Sequence, residues 1–384
     1  MFRKFLIYIA AGLGLAVRPL AAQPAPPMEV QAIPHVLLAD MNSGQVLYAS
    51  RADERFLPAS VTKVMTAYVA FDLIDSGKLH PRTLFQVSDE VARIWSGQGT
   101  TLWLKAGERL PVDTLLRGIT IASANDASIA LAEGFAGDLP RWQFMMNAHA
   151  QRLGMTNSHF NTPNGLPDEG RTYVTARDLQ KLASALIQRH PKLYRTYFGR
   201  KSMEWRNAEY WNRDPTLGVV QGADGIKTGH TNEAGYNFLG SAERDGRRLV
   251  MVIGGAPSNA DRSAASRALL EWGFSAWKPR KLFARGSTIA TVHVQDGDAR
   301  RVPVMAPMDV FADIPINGDN MPIKLRVVYE GPLRAPVAKG REIARLEIRV
   351  GDMAPGTVPL YAERSVRRAD WLDRIWNGLY GLFA

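Results

Sequence analysis

The chain has 384 residues, 46% of them hydrophobic, a formal net charge of +10 and no cysteine. The lack of cysteine excludes disulfides, thiol nucleophiles and thiolate metal sites, so stability rests on an ordinary apolar core, with length enough for one large domain and a smaller one. The seven histidines are scattered without a close ligand pairing, so no metal or other cofactor is expected. The positive charge comes without a basic stripe interleaved with aromatics, which argues against nucleic acid as a partner.

Residues 1–22 read as a secretory signal. Arg3 and Lys4 give a positive start, Phe5 to Val17 is an apolar run too short to span a bilayer, and Leu20-Ala21-Ala22 offers small residues for cleavage. Removing them takes away Arg3, Lys4 and Arg18 and no acid, so the net charge falls to +7, a balance suited to a polyanionic surface. Residues 23–33 are rich in Pro and Ala, which predicts a disordered stretch after processing. In His35 to Ser50 two apolar runs flank Asn42-Ser43-Gly44, which predicts a hairpin. From Pro58 to Gly77 the pattern is helical and apolar on most faces, which predicts a buried helix.

Further helical patterns fill 110–190, interrupted by the polar loop Asn161 to Thr172. Two strands follow, Gly235 to Glu243 and Arg248 to Gly254, joined at Arg244-Asp245-Gly246-Arg247, and Asp261 to Trp272 reads as a closing helix. Strands at both ends of a helical middle predict one sheet assembled from both ends. The fold class is α+β, an antiparallel sheet with helices on its faces, over residues 29–278. Runs such as Ile289 to Val294, Ile323 to Tyr329 and Ile343 to Val350 alternate or are β-branched, predicting a small all-β domain over 279–363. In 364–384, Trp371, Leu372, Ile375, Trp376, Leu379, Tyr380 and Phe383 fall at helical spacing, with Arg364, Arg367 and Arg368 on the entry. That pattern predicts an amphipathic helix lying in an anionic membrane interface. The alternative is a terminal helix docked on the β domain.

Three short motifs carry the chemistry. Ser60-x-x-Lys63, Ser123-x-Asn125 and Lys227-Thr228-Gly229 occur in that order, separated by 63 and then 104 residues. A lone S-x-x-K is weak, and Ser275 to Lys278 is a second match; K-T-G and S-x-N occur once each, and it is the order and spacing that carry the signal. A serine hydroxyl needs a base within hydrogen-bond reach, and i, i+3 on a helix places Lys63 beside Ser60. Lysine serves as a base when burial or a second cation depresses its pKa, and Lys227 is a candidate for that cation. Ser123 is placed to relay a proton, and Asn125 to hold a substrate carbonyl. Thr228 offers a hydroxyl to a substrate carboxylate, and Gly229 lets backbone approach without a Cβ. The backbone N–H of His230, paired with that of Ser60, is a candidate oxyanion hole.

These segments, Pro58 to Thr66, Ser123 to Ala127 and Asp224 to Thr231, resemble the serine D-alanyl-D-alanine carboxypeptidases, the low-molecular-mass penicillin-binding proteins of bacterial envelopes. The signal, the β-rich second domain, the amphipathic tail and the stretch Gly154 to Phe160 resemble that family too. The resemblance implies a Ser60 acyl-enzyme formed with the penultimate D-Ala of a peptidoglycan stem peptide, release of terminal D-Ala, and acylation by β-lactams. It also implies a place on the periplasmic face of the inner membrane, and, for Arg262, a position near the substrate carboxylate. The alternatives share or lack the same chemistry: a D,D-endopeptidase, a β-lactamase, or a wall-binding, shape-organising protein with a dead site. A class A β-lactamase deacylates with a dedicated glutamate, and the 155–175 loop has no matching motif, Glu169 sitting in a different acidic turn.

Overall fold

The computed structural model describes residues 3–9, 23–318 and 320–370. They form two compact units, one of residues 26–39 and 47–273, the other of residues 40–46 and 274 onward together with the N-terminal strand.

The first unit is built on a five-stranded sheet in the order Val46–Ser50, His35–Asp40, Arg247–Ala256, Gly235–Arg244, Ala223–Thr231. The strand His35–Asp40 is buried along its whole length, as its unbroken apolar run requires. Gly235–Arg244 and Arg247–Ala256 pair antiparallel, with Arg244 opposite Arg247. Only Asp245 and Gly246 lie between, both at positive φ (51° and 77°), the two-residue turn whose twist matches the flanking strands. The expected closing helix is longer at both ends, Asn259–Ser275.

The predicted helix from Pro58 divides in two: a 3-10 turn, Ala59–Thr62, then an α-helix, Lys63–Asp75, with Gly77 at φ 72° just beyond. Most of its residues are buried, from Val64 through Phe71, which accounts for its apolar character on every face. Helices Asn125–Ala136, Leu139–Arg152 and Ala176–Arg189 fill the middle as expected. Asp138 and Thr175 cap the last two by accepting from the amides of Arg141 and Asp178. A hairpin absent from the sequence reading, Ser202–Trp205 with Ala208–Trp211, follows them.

In the second unit the three predicted strands form, slightly longer, as Thr288–Gln295, Ile323–Gly331 and Glu342–Val350. They belong to a seven-stranded sheet, and Trp277–Phe283 pairs separately with Val310–Pro315. Residues 40–46, the turn of the first hairpin, belong to this unit, whereas the sequence reading placed them in the larger domain. Ser43 donates to the buried carboxylate of Asp313, and Asn42 Nδ2 to the carbonyl of Asp309 at 2.8 Å. Arg3–Ile9 lies antiparallel along Ile323–Gly331 at one end of the sheet order, so the other strands keep their partners without it.

The tail differs from expectation. Residues 364–370 are extended rather than helical. Val366 bridges Val337, Arg368 bridges Gly297, and the Arg367 amide donates to Asp298 at 3.0 Å. Val366 and Ala369 are buried, so these residues are tied down by side chains and backbone that a helix starting at 364 would lose. The apolar positions from Trp371 onward lie outside the described residues. No helix among the described residues is long and apolar enough to cross a membrane.

Candidate active site

Three elements of the first unit converge on one cleft of about 790 Å³. The first is the 3-10 turn. Its i to i+3 step brings Lys63 Nζ to 2.9 Å from Ser60 Oγ. The amine has two further partners, Asn125 Oδ1 at 2.7 Å and the Asn164 carbonyl at 2.6 Å. Those two oxygens only accept, so they take both hydrogens of a neutral amine. Its lone pair is then left facing the Ser60 hydroxyl. The same three contacts suit an ammonium, with the direction of the Ser60 bond reversed.

Electrostatics favours the neutral form. Lys63 is 1% exposed, and burial pushes its pKa well below the usual lysine value. The Lys227 charge adds to the depression, Arg213 adds further, and Asp126 opposes it. Lys227, also buried, is lowered to about 7 by desolvation first and then by Arg213 and Arg262. Neighbouring cations thus disfavour the proton on both lysines, Lys227 being the foremost of them for Lys63.

The second element carries Ser123 and Asn125. A π-helical turn, Gly118–Ala122, ends at Ser123, whose backbone is left-handed (φ 67°, ψ 32°). Asn125 then opens the next helix. Its amide is held both ways, Nδ2 donating to Gln98 O at 2.7 Å while Oδ1 faces Lys63. Next to it, the fully buried carboxylate of Asp126 accepts from the amides of Leu102 and Leu104, fixing the loop that forms one rim.

The third element is the strand Ala223–Thr231. Gly229 stands opposite Asn237 in the register, and Asn237 Nδ2 donates to Leu57 O at 3.0 Å, just before the Ser60 turn. A Cβ on Gly229 would lie 2.5 Å from Pro58 O and 3.0 Å from Ser60 N, so this backbone is pressed against that turn. Thr228, Gly229 and His230 line the cleft with Ser60, Ser123 and Asn125. Lys63 and Lys227 are buried and are not part of its lining, Lys227 Nζ donating to Thr228 O at 2.8 Å. The His230 ring stacks on Tyr236 (centroids 3.9 Å apart), and the Arg262 guanidinium lies over that same tyrosine, 5.7 Å from its centroid.

All nine residues singled out in the sequence therefore lie in or directly behind one cleft. Sequence reasoning missed two. Asn164 enters through its backbone carbonyl, which no side-chain motif reveals. Arg213 lines the cleft with Arg262 from a different loop, and its only signal was its place just after the unpredicted hairpin. Among the described residues no cluster of acids or histidines is arranged to hold a metal.

Comparison with known proteins agrees with this geometry. The family described as D-alanyl-D-alanine carboxypeptidase matches residues 21–258, and that described as penicillin-binding protein 5, C-terminal domain, matches 277–368. The D-alanyl-D-alanine carboxypeptidase DacA of Haemophilus influenzae is 32% identical over 93% of this chain and 92% of its own. DacD of Salmonella typhimurium is 31% identical over 98% of both. The crystal structure of penicillin binding protein 5 from Haemophilus influenzae superimposes with a TM-score of 0.71 at 32% identity, covering 90% of this chain and all of that one. Penicillin-binding protein D2 from Listeria monocytogenes, in its cefotaxime-bound form, is similar over 66% of this chain and all of its own, with a TM-score of 0.59 at 28% identity. With likeness spanning both units and the serine–lysine geometry of the cleft, this chain belongs to the D-alanyl-D-alanine carboxypeptidase family.

Proposed function

We propose that the protein is a serine-type D-Ala-D-Ala carboxypeptidase that trims the terminal D-Ala from peptidoglycan stem pentapeptides. The observation that carries this reading is the 2.9 Å contact between Ser60 Oγ and a lysine amine whose remaining contacts are both acceptors. Lys63 takes the hydroxyl proton as Ser60 Oγ attacks the carbonyl carbon of the penultimate D-Ala. The amides of Ser60 and His230 receive the developing oxyanion. Ser123 passes a proton to the leaving amine, the C–N bond breaks, and free D-Ala departs. Water then attacks the ester, restoring Ser60. Asn125 holds the peptide carbonyl, Thr228 and Arg262 hold the terminal carboxylate, and Lys227 supplies positive charge behind them.

The test is D-Ala release from a diacetylated Lys-D-Ala-D-Ala peptide by the wild type beside Ser60→Ala. Release is expected from the wild type alone, and a mutant working at the wild-type rate ends the proposal. β-Lactams acylate the same oxygen. Without a dedicated deacylating glutamate the adduct persists, so intact-mass spectra after penicillin treatment keep the added mass for many minutes. A D,D-endopeptidase reaction uses the same acyl step with a larger leaving group, and release from cross-linked dimers distinguishes it.

The N-terminal pattern supports export, and the two tryptophans and apolar residues after Asp370 support peripheral attachment to the periplasmic face of an anionic membrane. Flotation with anionic liposomes, with and without residues 371–384, tests this; binding unchanged by the truncation discards the anchor.

A further inference from the structure

Two indoles stand in solvent on segments that lead into the cleft, Trp103 at 60% and Trp211 at 63% exposure. A single exposed apolar ring is ordinary. Three observations set this pair apart. First, Trp103 is held at φ 56°, a left-handed backbone that bulky residues seldom adopt. The amides on either side of it, Leu102 and Leu104, both donate to buried Asp126, at 3.0 and 3.1 Å, so the loop is fixed with the ring outward. Gly97 packs close to that ring: a Cβ there would come within 3.0 Å of it.

Second, the hairpin that carries Trp211 is pinned to the same loop. Trp205 Nε1 donates to Leu102 O at 2.8 Å, and Arg206 to Trp103 O at 3.0 Å. Met203, opposite Tyr210, is buried on one face of the hairpin, so alternation puts Trp211, opposite Ser202, on the other. Third, both tryptophans adjoin the cleft in the chain. Thr100 lines it three residues before Trp103, and Arg213 lines it two residues after Trp211.

We infer that Trp103 and Trp211 form a saccharide-binding platform for the amino-sugar strand that carries the stem peptide. This rests on the proposed function, because the occupant is the remainder of that polymeric substrate, continuous with the peptide in the cleft. The faces of a pyranose ring present C–H bonds, which pack on an indole face, while its hydroxyls stay at the edge in water. An indole offers a wide apolar face with one polar N–H, the combination such a ligand needs. Fixing the rings in advance on a bonded loop and hairpin lowers the ordering cost of binding.

The experiment uses the full chain and, as probe, amino-sugar strands from which all peptide has been removed, with binding read by tryptophan fluorescence and co-sedimentation. The wild type is expected to bind, and Ser60→Ala to bind equally, which separates this result from the acyl chemistry. Trp103→Ala and Trp211→Ala each weaken binding by about tenfold, and Trp103→Phe retains most of it. For catalysis, the ratio of kcat/KM on glycan-linked pentapeptide to that on bare pentapeptide falls by a similar factor, through KM. Failure of the wild type to bind bare strands overturns the inference, as does binding that neither alanine substitution changes. Equal losses on both substrates overturn it too. So does a loss of self-association in either variant by sedimentation velocity, which assigns the pair to a second copy of the chain.

Discussion

Among the described residues both units bury carboxylates, but only the first also buries cations. In the first, Lys63, Lys227 and Arg262 are almost fully buried, and the pKa of each is depressed chiefly by desolvation. In the second, the buried acids Asp40 and Asp313 sit among donors: Asp40 accepts from the amides of Asn42 and Ser43, and Asp313 from the Ser43 hydroxyl. Buried carboxylates with hydrogen-bond donors brace a turn. Buried cations gathered beside one another weaken their own hold on protons, which a base requires and a scaffold does not. The cost of that arrangement falls on stability, and it is concentrated where the chemistry is.

The largest test of this contrast is Lys63→Ala. Loss of the base should slow acylation by fluorescent penicillin by about 10³-fold while the fold persists. In the wild type the depressed pKa makes the amine neutral at lower pH than an ordinary lysine, so acylation should fall as pH drops through that lowered value. A rate independent of pH from acid to alkaline solution breaks the assignment.

Lys227→Met comes next and should stabilise the protein. The unfolded lysine keeps its proton up to its usual range, whereas the folded one releases it at about 7. Between those values the unfolded chain binds more protons, so wild-type stability rises with pH. At and below about pH 7 the full cost of the buried charge is present. There the variant should gain on the order of 2 kcal/mol by denaturant unfolding, an advantage that shrinks toward alkaline pH. No gain would mean that the burial of Lys227 is not costly.

On the other side of the contrast, Ser43→Ala removes a donor from buried Asp313 and should cost about 1–3 kcal/mol of stability, with acylation by penicillin retained. The smallest effect belongs to Arg367→Ala. Its ion pair with Asp298 at 3.2 Å has the arginine side chain 86% exposed, so the change should stay below about 0.5 kcal/mol in the same assay.

Much of the site was legible because its parts are local. The S-x-x-K step is a statement about one helical turn, and it holds although the turn is 3-10 and the α-helix begins only at Lys63. K-T-G announces a strand by its place before two clear hairpin strands. What stayed hidden depends on partners distant in sequence. The Asn164 carbonyl reaches Lys63 across 101 residues, and Arg213 acquires meaning only when its loop meets Arg262. The left-handed backbone at Ser123 follows from a π-turn that periodicity cannot reveal. The tail misled for the same reason. Its arginines fit a helical face, but Val366 and Ala369 find burial beside strands far earlier in the chain, and that packing outweighs the local pattern.

Gly229 also matters for what it forbids. With no space for even a methyl between its α-carbon and Pro58, the gap separating nucleophile from strand cannot be tuned by exchanging that residue. Selection by antibiotics would find no gradual path there.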